Sequence, residues 1–261
     1  MSEETVRWER DGHIGIITLN RPDDMNALNF ATLQRLGELL DQVRLEQKEV
    51  RAVLVKAEGR AFCAGADLKE RRTLNEQQVR RNVSKIRDVF TALERLPQPT
   101  IALINGFAFG GGFELALACD FRYAVAEAKM GLTEVSLGII PGAGGTQRLS
   151  RLIGPSRAKE LILTARRISA QEAYELGILN GLAQDRDELE KKAYSLAAEI
   201  LANAPLAVYQ AKAAIDRGAS VDLQTGLDLE TKCYEVIIPT KDRLEALEAF
   251  REKRKPVFRG E

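Results

Sequence analysis

The feature that most constrains this fold is an apolar run that leads through three consecutive glycines into helix-forming sequence. Residues 101–104 are apolar and predict a buried strand, Gly110, Gly111 and Gly112 follow, and residues 113–118 have helix-forming composition. A helix that begins at glycines leaves backbone N–H groups without intrahelical acceptors, and a ligand can approach them closely. The helix dipole adds about half a positive charge there. The turn therefore predicts a place for an oxygen that becomes negative.

Carboxylates are the candidate proton-transfer groups near this turn. Glu114 follows the glycines, and Glu134 comes twenty positions later, beyond another predicted strand that could return it beside Glu114. Ala64, in the small-residue loop 61–66, is predicted to supply a second N–H donor. Two donors on a carbonyl oxygen and two carboxylates would serve to add or remove water across the neighbouring carbon–carbon bond. The residues alone leave another interpretation open, in which the stretch is a tight turn and both glutamates are solvated acids.

The histidine and cysteine content excludes several classes of site. The chain has one histidine, His13, in a turn-like segment near the N-terminus, so a histidine-based triad would have to use this residue and His-rich metal sites are excluded. The favoured interpretation of His13 is a surface or hairpin residue. The three cysteines are far apart and form no CxxC pair, which argues against a disulfide framework and a zinc site. Acid–base chemistry in this chain is therefore predicted to fall to carboxylates.

Net charge and hydropathy limit the partners and the cellular location that the sequence predicts. Lys plus Arg and Asp plus Glu both number 38, so no overall field attracts the molecule to nucleic acid or acidic lipid. The sequence has no run of about 18 uncharged apolar residues. The acidic start resembles neither a secretory signal nor an Arg-rich transit peptide. Together with the unpaired cysteines, these observations predict a cytoplasmic protein.

The order of patterns along the chain predicts an α/β fold with a helical C-terminal part. Asp11 and Gly12 predict a hairpin, a helix is predicted from Asn29, and residues 73–76 read as a capping box that opens another helix. A second glycine-rich turn, residues 141–148, fits neither a P-loop nor the GxGxxG dinucleotide pattern. Strands and helices alternate first and helices dominate later. We therefore divide the chain into a core, residues 1–200, and a helical region, residues 201–261.

Four segments resemble the crotonase (enoyl-CoA hydratase/isomerase) superfamily: AFCAGADLK at 61–69, INGFAFGGGFELA at 104–116, GIIPGAGGTQRL at 138–149 and DRLEALEAFREKR at 242–254. The resemblance covers almost the whole chain. It implies a spiral of repeated ββα units followed by helices that build a trimer, with two trimers commonly stacked into a hexamer. It also implies a hydro-lyase of acyl-CoA and fatty acid metabolism.

The resemblance implies a role for each candidate residue. The N–H groups of Ala64 and Gly111 form an oxyanion hole for the thioester oxygen of a trans-2-enoyl-CoA. Glu114 deprotonates the water that attacks C3, and Glu134 delivers the proton to C2, giving reversible syn hydration. No metal and no redox cofactor is implied, because coenzyme A is part of the substrate. The residues implied to contact substrate or CoA are Ala64, Gly65, Ala66, Asp67, Gly111, Tyr234 and Lys253, the last two reaching a neighbouring subunit's CoA.

One position departs from the superfamily pattern. Hydratases often carry Lys or Arg in the loop after Arg21 and Pro22, close to CoA, whereas this chain has Asp24. An acid there is unfavourable for phosphates, so other cations must serve or Asp24 must point away. We leave this loop out of the predicted side-chain contacts.

Within the superfamily, the sequence looks most similar to methylglutaconyl-CoA hydratases of leucine catabolism, which also bind AU-rich RNA. Their substrate has a second carboxylate, for which Arg71 and Arg72 are candidate partners, although a solvated surface is the alternative for these residues. RNA binding is the rival function, but the helix at residues 29–47 lacks the net positive charge that it requires. Enoyl-CoA isomerisation is another alternative, and a catalytically inactive scaffold is disfavoured because both glutamates are present.

Overall fold

The strands are distributed between two sheets, and over residues 52–131 consecutive strands alternate between them. The computed structural model describes residues 4–261, so the acidic start lies partly outside the described residues. The strands are β1 (Val6–Asp11), β2 (Ile14–Leu19), β3 (Ala52–Ala57), β4 (Ala61–Cys63), β5 (Thr100–Ile104), β6 (Phe107–Phe109), β7 (Phe121–Val125), β8 (Lys129–Gly131), β9 (Ile168–Ser169) and β10 (Gly181–Ala183). The larger sheet has the order β1-β2-β3-β5-β7-β10, and the smaller sheet has the order β4-β6-β8-β9.

Helices follow each pair of strands. They are α1 (Phe30–Leu45), α2 (Leu68–Arg71), α3 (Glu76–Glu94), α4 (Gly111–Leu117), α5 (Gly145–Ile153), α6 (Pro155–Leu163), α7 (Ala170–Glu175), α8 (Arg186–Leu201), α9 (Pro205–Gly218), α10 (Leu223–Ile237) and α11 (Lys241–Glu252), with 3₁₀ helices at Pro22–Asp24 and Glu134–Leu137. The pairs β3–β4, β5–β6 and β7–β8 each place one strand in each sheet before the chain turns into a helix. This arrangement confirms the predicted α/β architecture of repeated ββα units.

Hydrophobic periodicity explains the main helices and the central strands. The residues of α1 that recur at helical spacing, among them Leu33, Leu36 and Val43, are buried. All five residues of β5 are buried, as expected for a strand covered on both faces of a mostly parallel sheet. The hairpin predicted at Asp11 and Gly12 joins antiparallel β1 and β2. The capping box is shifted from the predicted position, because Asn75 and Gln78 form it at the start of α3.

The small sheet positions the site. Parallel β4, β6 and β8 are neighbours and end at Cys63, Phe109 and Gly131. Segments that leave the carboxyl ends of neighbouring parallel strands emerge at one edge, where open α/β sheets hold their ligands. The small-residue loop, the three-glycine turn and the segment leading to Glu134 therefore start from one edge.

The C-terminal part is helical, as predicted. The helix α8 crosses residue 200 and packs on β3, β5 and β7, whereas α9 and α10 pack on each other. The division of the chain into two regions at residue 200 stays a prediction. Within residues 4–261, no helix has the length and apolarity needed to cross a bilayer.

Candidate active site

The three-glycine turn brings the start of α4 against the small-residue loop. Gly110 has φ +52° and ψ −126°, a conformation that favours glycine, and its N–H donates to Gly131 O at 2.9 Å. At Gly112 a Cβ would overlap the carbonyl oxygen of Cys63, so only glycine allows this contact between α4 and the end of β4. The glycines are thus explained by backbone shape and close packing.

Three backbone N–H groups at this contact have no hydrogen-bond acceptor within residues 4–261, those of Ala66, Gly111 and Gly112, and the first two lie side by side. Gly111 is the first residue of α4, so its N–H has no intrahelical partner. Ala66 N would lie 3.7 Å from a Cβ built on Gly111, which places the two peptide groups side by side. Two neighbouring N–H donors without acceptors can hold one oxygen atom that carries negative charge.

The structure corrects the prediction that Ala64 provides the second donor. The N–H of Ala64 donates to Met25 O at 3.0 Å and is therefore already used. Leu28 pairs with the two residues that flank Ala66, because Leu28 N–H donates to Gly65 O and Asp67 N–H donates to Leu28 O. In a parallel pairing the residue between the two bonded ones directs its own N–H away from the partner strand. The free donor in this loop is therefore Ala66.

Glu114 is buried within α4, and a turn from another element holds one of its oxygens. The N–H groups of Ala143 and Gly145 donate to Glu114 Oε1 at 2.9 and 2.8 Å. Burial raises the pKa of Glu114, while these two hydrogen bonds and the positive charge of Arg148 oppose the rise. Ala143 and Gly145 belong to the glycine-rich turn at residues 141–148, whose composition alone predicts no contact with Glu114.

Glu134 is buried too, and it has few stabilising partners. It is the first residue of the 3₁₀ helix Glu134–Leu137, and its Oε2 is buried with no hydrogen-bond partner within residues 4–261. Burial, followed by the negative charge of Glu114, raises the pKa of Glu134 to about 7. The structure therefore brings the two predicted glutamates close enough for one carboxyl group to perturb the other.

Asp67 and Asp24 are engaged in structural contacts. Asp67 is buried, caps α2 by accepting from the N–H of Lys69, and pairs with Arg21 at 3.0 Å. Asp24 pairs with Arg21 at 2.7 Å and with Lys69 at 2.8 Å. The unusual acid in this loop is thus neutralised by two cations, and Lys69 remains largely exposed beside it.

The C-terminal candidates lie on other elements. Tyr234 is exposed on α10 and lines a groove between α9 and α10, and Lys253 is the exposed residue that ends α11. Neither residue forms a hydrogen bond or ion pair with Glu114 or Glu134 within residues 4–261. Their contact with the CoA of a neighbouring subunit stays a prediction. Residues 4–261 contain no cluster of three or more His, Cys, Asp or Glu that could hold a metal ion.

Comparisons with known proteins agree with this geometry. The family described as enoyl-CoA hydratase/isomerase matches residues 9–261. A putative enoyl-CoA hydratase/isomerase, YngF of Bacillus subtilis, is 52% identical over 261 residues, which is 100% of each chain. The mitochondrial methylglutaconyl-CoA hydratase of Mus musculus is 48% identical over 265 residues, covering 99% of this chain and 84% of the relative. The crystal structure of an enoyl-CoA hydratase from Bacillus anthracis superposes with a TM-score of 0.95 at 53% identity, over 98% of this chain and 100% of that one.

Proposed function

The chain belongs to the enoyl-CoA hydratase/isomerase (crotonase) family, and we propose that it is a hydratase that adds water to a trans-2-enoyl-CoA. One observation carries this proposal: two buried carboxyl groups in unlike surroundings lie at one sheet edge with two N–H groups that lack acceptors. The reaction then needs only protein carboxyl groups and water, since CoA is part of the substrate.

The proposed oxyanion hole consists of the N–H groups of Ala66 and Gly111. A thioester oxygen that accepts both hydrogen bonds draws electron density from C3 and carries the negative charge that develops after attack on C3. Removal of one such donor typically costs about 10²–10³-fold in kcat. Both donors belong to backbone that is fixed by the packing of α4 on β4, so no reorganisation is needed during the reaction.

Glu114 is proposed to act as the base toward water. The two N–H groups on its Oε1 favour the ionised form and leave Oε2 to accept a proton from the attacking water. The fixed Oε1 also sets the direction of Oε2. A correctly placed general base typically contributes about 10²–10⁴-fold to the rate.

Glu134 is proposed to deliver the proton to C2 and to take it back in the reverse direction. A pKa of about 7 keeps much of this carboxyl group protonated near neutral pH, as a proton donor requires. Water and proton come from neighbouring carboxyl groups, which supports syn addition. Isomerisation, which moves a proton between C2 and C4, gives no role to a second carboxylate that holds water.

A substrate panel tests the proposal. Hydration removes the conjugated double bond, so the absorbance of a trans-2-enoyl-CoA should fall as the 3-hydroxyacyl-CoA appears. The matching 3-enoyl-CoA serves as the comparison, since isomerisation would create conjugation and raise the absorbance. An enzyme that acts on the 3-enoyl-CoA and leaves the 2-enoyl-CoA unchanged would overturn the assignment as a hydratase.

We further propose 3-methylglutaconyl-CoA as the substrate, with its second carboxylate bound by Arg71. A small cavity of about 30 Å³, lined by Ala66 and Asp67, extends from the oxyanion loop to α3, and Arg71 lines it. Arg71 is half-buried and has no acidic partner within residues 4–261. Glu70 also lines the cavity, but its carboxylate accepts the N–H of Phe30 at 3.1 Å. The name of the mouse relative agrees with this substrate.

Arg72 provides the matched control, because it is exposed and lies outside the cavity lining. Arg71→Met should lower kcat/KM for methylglutaconyl-CoA by roughly 10–100-fold, the loss expected when a charged hydrogen bond is removed. The same variant should keep its activity on crotonyl-CoA, and Arg72→Met should leave kcat/KM unchanged for both substrates. A clear preference of the unmodified protein for crotonyl-CoA would contradict this substrate.

We also propose that α10 and α11 join copies of this chain into a trimer or hexamer. These helices expose large apolar side chains, including Tyr234, Leu247 and Phe250, which is 86% exposed. Apolar surface of this kind is typical of a contact between proteins. Light scattering of the purified protein should give a mass three or six times 28.9 kDa. A monomer at micromolar concentration would contradict the proposal. The cytoplasmic location and the place in leucine catabolism stay predictions.

A further inference from the structure

A bidentate ion pair lies directly behind the turn that holds Glu114. Glu94 is the last residue of α3, and Arg148 lies on α5. Arg148 Nε donates to Glu94 Oε1 and Arg148 Nη2 donates to Glu94 Oε2, both at 2.8 Å. The side chain of Arg148 is only 13% exposed, so this two-point contact is shielded from solvent on the arginine side.

The remaining guanidinium nitrogen of Arg148, Nη1, contacts the turn itself. Its Nη1 donates to the carbonyl oxygen of Ala143 at 2.7 Å, and a Cβ on Gly144 would overlap the guanidinium. The guanidinium thus contacts the turn at residues 143 and 144. The same turn presents the N–H groups of Ala143 and Gly145 to Glu114 Oε1. The contacts therefore run without interruption from α3 through Arg148 and the turn to Glu114.

We propose that Arg148, braced by Glu94, is a positioning residue that fixes the turn in the shape that aims Glu114 at the attacking water. This inference rests on the proposed hydratase function. Arg148 acts through the turn, and the bidentate contact with Glu94 fixes the rotamer of a long side chain that would otherwise be mobile. A small displacement of a base away from its reactive direction typically costs about 10²-fold in rate.

The charged groups around Glu114 affect its pKa, which can be measured. The cation of Arg148 lowers the pKa of Glu114 against the effect of burial, and the carboxylate of Glu94 offsets part of that cation's field. Among the described residues, Glu134 is the acidic group that interacts with Glu114, and the thiol-bearing Cys63 lies beside Gly112 of the same helix. Burial raises the pKa of the Cys63 thiol to about 12, so it stays neutral at the pH of an assay.

Removing Arg148 and removing Glu94 should therefore shift the pKa of Glu114 in opposite directions. Loss of the cation in Arg148→Met should shift the acid limb of kcat/KM to higher pH, because ionisation of Glu114 becomes harder. Loss of the carboxylate in Glu94→Gln should shift this limb to lower pH, because the cation is then less compensated. Arg148→Lys should keep the acid limb of kcat/KM near its original pH, because the positive charge remains. It should still lower kcat, because an ammonium group lacks the planar, bidentate geometry of the guanidinium.

The test measures kcat, KM and the acid limb for these three variants, with Arg151→Met as the control. Arg151 lies on the same helix and is exposed, and within residues 4–261 its side chain hydrogen-bonds only to Gln147. Arg148→Met should lower kcat by roughly 10–100-fold and change KM by less than about twofold. A purely structural role would lower the melting temperature without moving the acid limb in either direction, and that result would overturn the inference.

A second readout does not depend on turnover. Carbon-13 NMR of protein labelled at glutamate carboxyl carbons follows the titration of Glu114, whose signal is assigned by its loss in Glu114→Gln. The signal should titrate at higher pH in Arg148→Met and at lower pH in Glu94→Gln. Unchanged titration in both variants would overturn the inference even if the enzyme is an active hydratase. Protein that shows these shifts but hydrates no enoyl-CoA would support the electrostatic link and count against the proposed function alone.

Discussion

Glu114 and Glu134 lie close enough to interact, but the segments around them surround the two carboxyl groups with different partners. The turn at residues 143–145 gives Glu114 two backbone hydrogen bonds and a nearby cation, which oppose the effect of burial on its pKa. In the 3₁₀ helix that begins at Glu134, only the N–H of Glu134 itself lowers the pKa of this carboxyl group, and Oε2 of Glu134 is left without a partner in the described part of the chain. In the proposed mechanism this difference makes one glutamate the base and the other the acid: backbone donors, more than burial, separate the two side chains.

The largest expected effect comes from replacing either glutamate with glutamine, which removes the carboxyl group but keeps the shape of the side chain. Glu114→Gln and Glu134→Gln should each lower kcat by roughly 10²–10⁴-fold, because each removes one proton-transfer group. Both variants should still bind the acyl-CoA, since the backbone donors of Ala66 and Gly111 remain. Steady-state rates and isothermal titration with the product measure the two quantities. If either variant kept a near-normal rate, that glutamate would have no role in the mechanism.

A smaller loss of kcat is expected when the carboxylate of Glu114 is displaced but keeps its charge. In Gly145→Ala the new Cβ would lie 2.9 Å from Glu114 Oε1 and 2.9 Å from Leu132 Cδ1, so the carboxylate must move. We expect kcat to fall roughly 10²-fold, the usual loss for a displaced catalytic group. Gly37→Ala is the control, because Gly37 lies in α1, where a Cβ meets mainly the flexible side chain of Lys85.

The control should keep full activity and gain up to about 1 kcal/mol in helix stability. Equal loss of activity in both variants would mean that the turn has no special effect on Glu114. Normal activity of Gly145→Ala would show that the direction of Glu114 is not fixed by this turn.

The smallest effect is on stability, and its sign follows from the raised pKa of Glu134. A folded-state pKa of about 7, above the ordinary value of 4.5, means that the native state is penalised as Glu134 ionises at higher pH. Glu134→Gln removes this penalty, so the free energy of unfolding at pH 8 should rise by at most ~3 kcal/mol. At pH 4 the carboxyl group is largely protonated in both states and the gain should vanish.

Urea unfolding of the parent and Glu134→Gln at these two pH values measures the difference. Glu114→Gln should gain less, because it replaces a carboxylate that two N–H groups stabilise. A larger gain for Glu114→Gln than for Glu134→Gln at pH 8 would reverse the comparison between the two carboxyl groups.

Sequence patterns were sufficient for the parts of the site that depend on local order. The glycines before Glu114 and the spacing to Glu134 predicted a paired site, and the structure brings the two carboxyl groups together. The donor in the small-residue loop was misplaced by two residues. Ala64 and Ala66 are the same residue type on either side of Gly65, and only the pairing of Met25 and Leu28 with this loop decides which N–H stays free. That pairing joins residues about 40 positions apart and leaves no local signal.

The same limit applies to the fold. Long periodic elements such as α1 and β5 were predicted, since their burial pattern is visible within one window. The three-residue strands β4 and β6 were missed, because they are too short for periodicity and exist only through pairing with each other and with β8. Without them the second sheet could not be recognised, although it sets the positions of both donors. The Glu94–Arg148 contact was invisible for the same reason, since it joins α3 to α5.

The pH dependence of kcat/KM for hydration by the unmodified protein tests the central claim most directly. If Glu134 must be protonated to deliver its proton to C2, kcat/KM should decline as pH rises through about 7, the pKa given to this group by burial and by Glu114. The reverse reaction, dehydration, should decline in parallel over the same range, because hydration consumes no net proton and the ratio of kcat/KM in the two directions is fixed by a pH-independent equilibrium constant. A hydration rate that stays level from pH 6 to roughly pH 9 would contradict the assignment of the two glutamates as unlike partners.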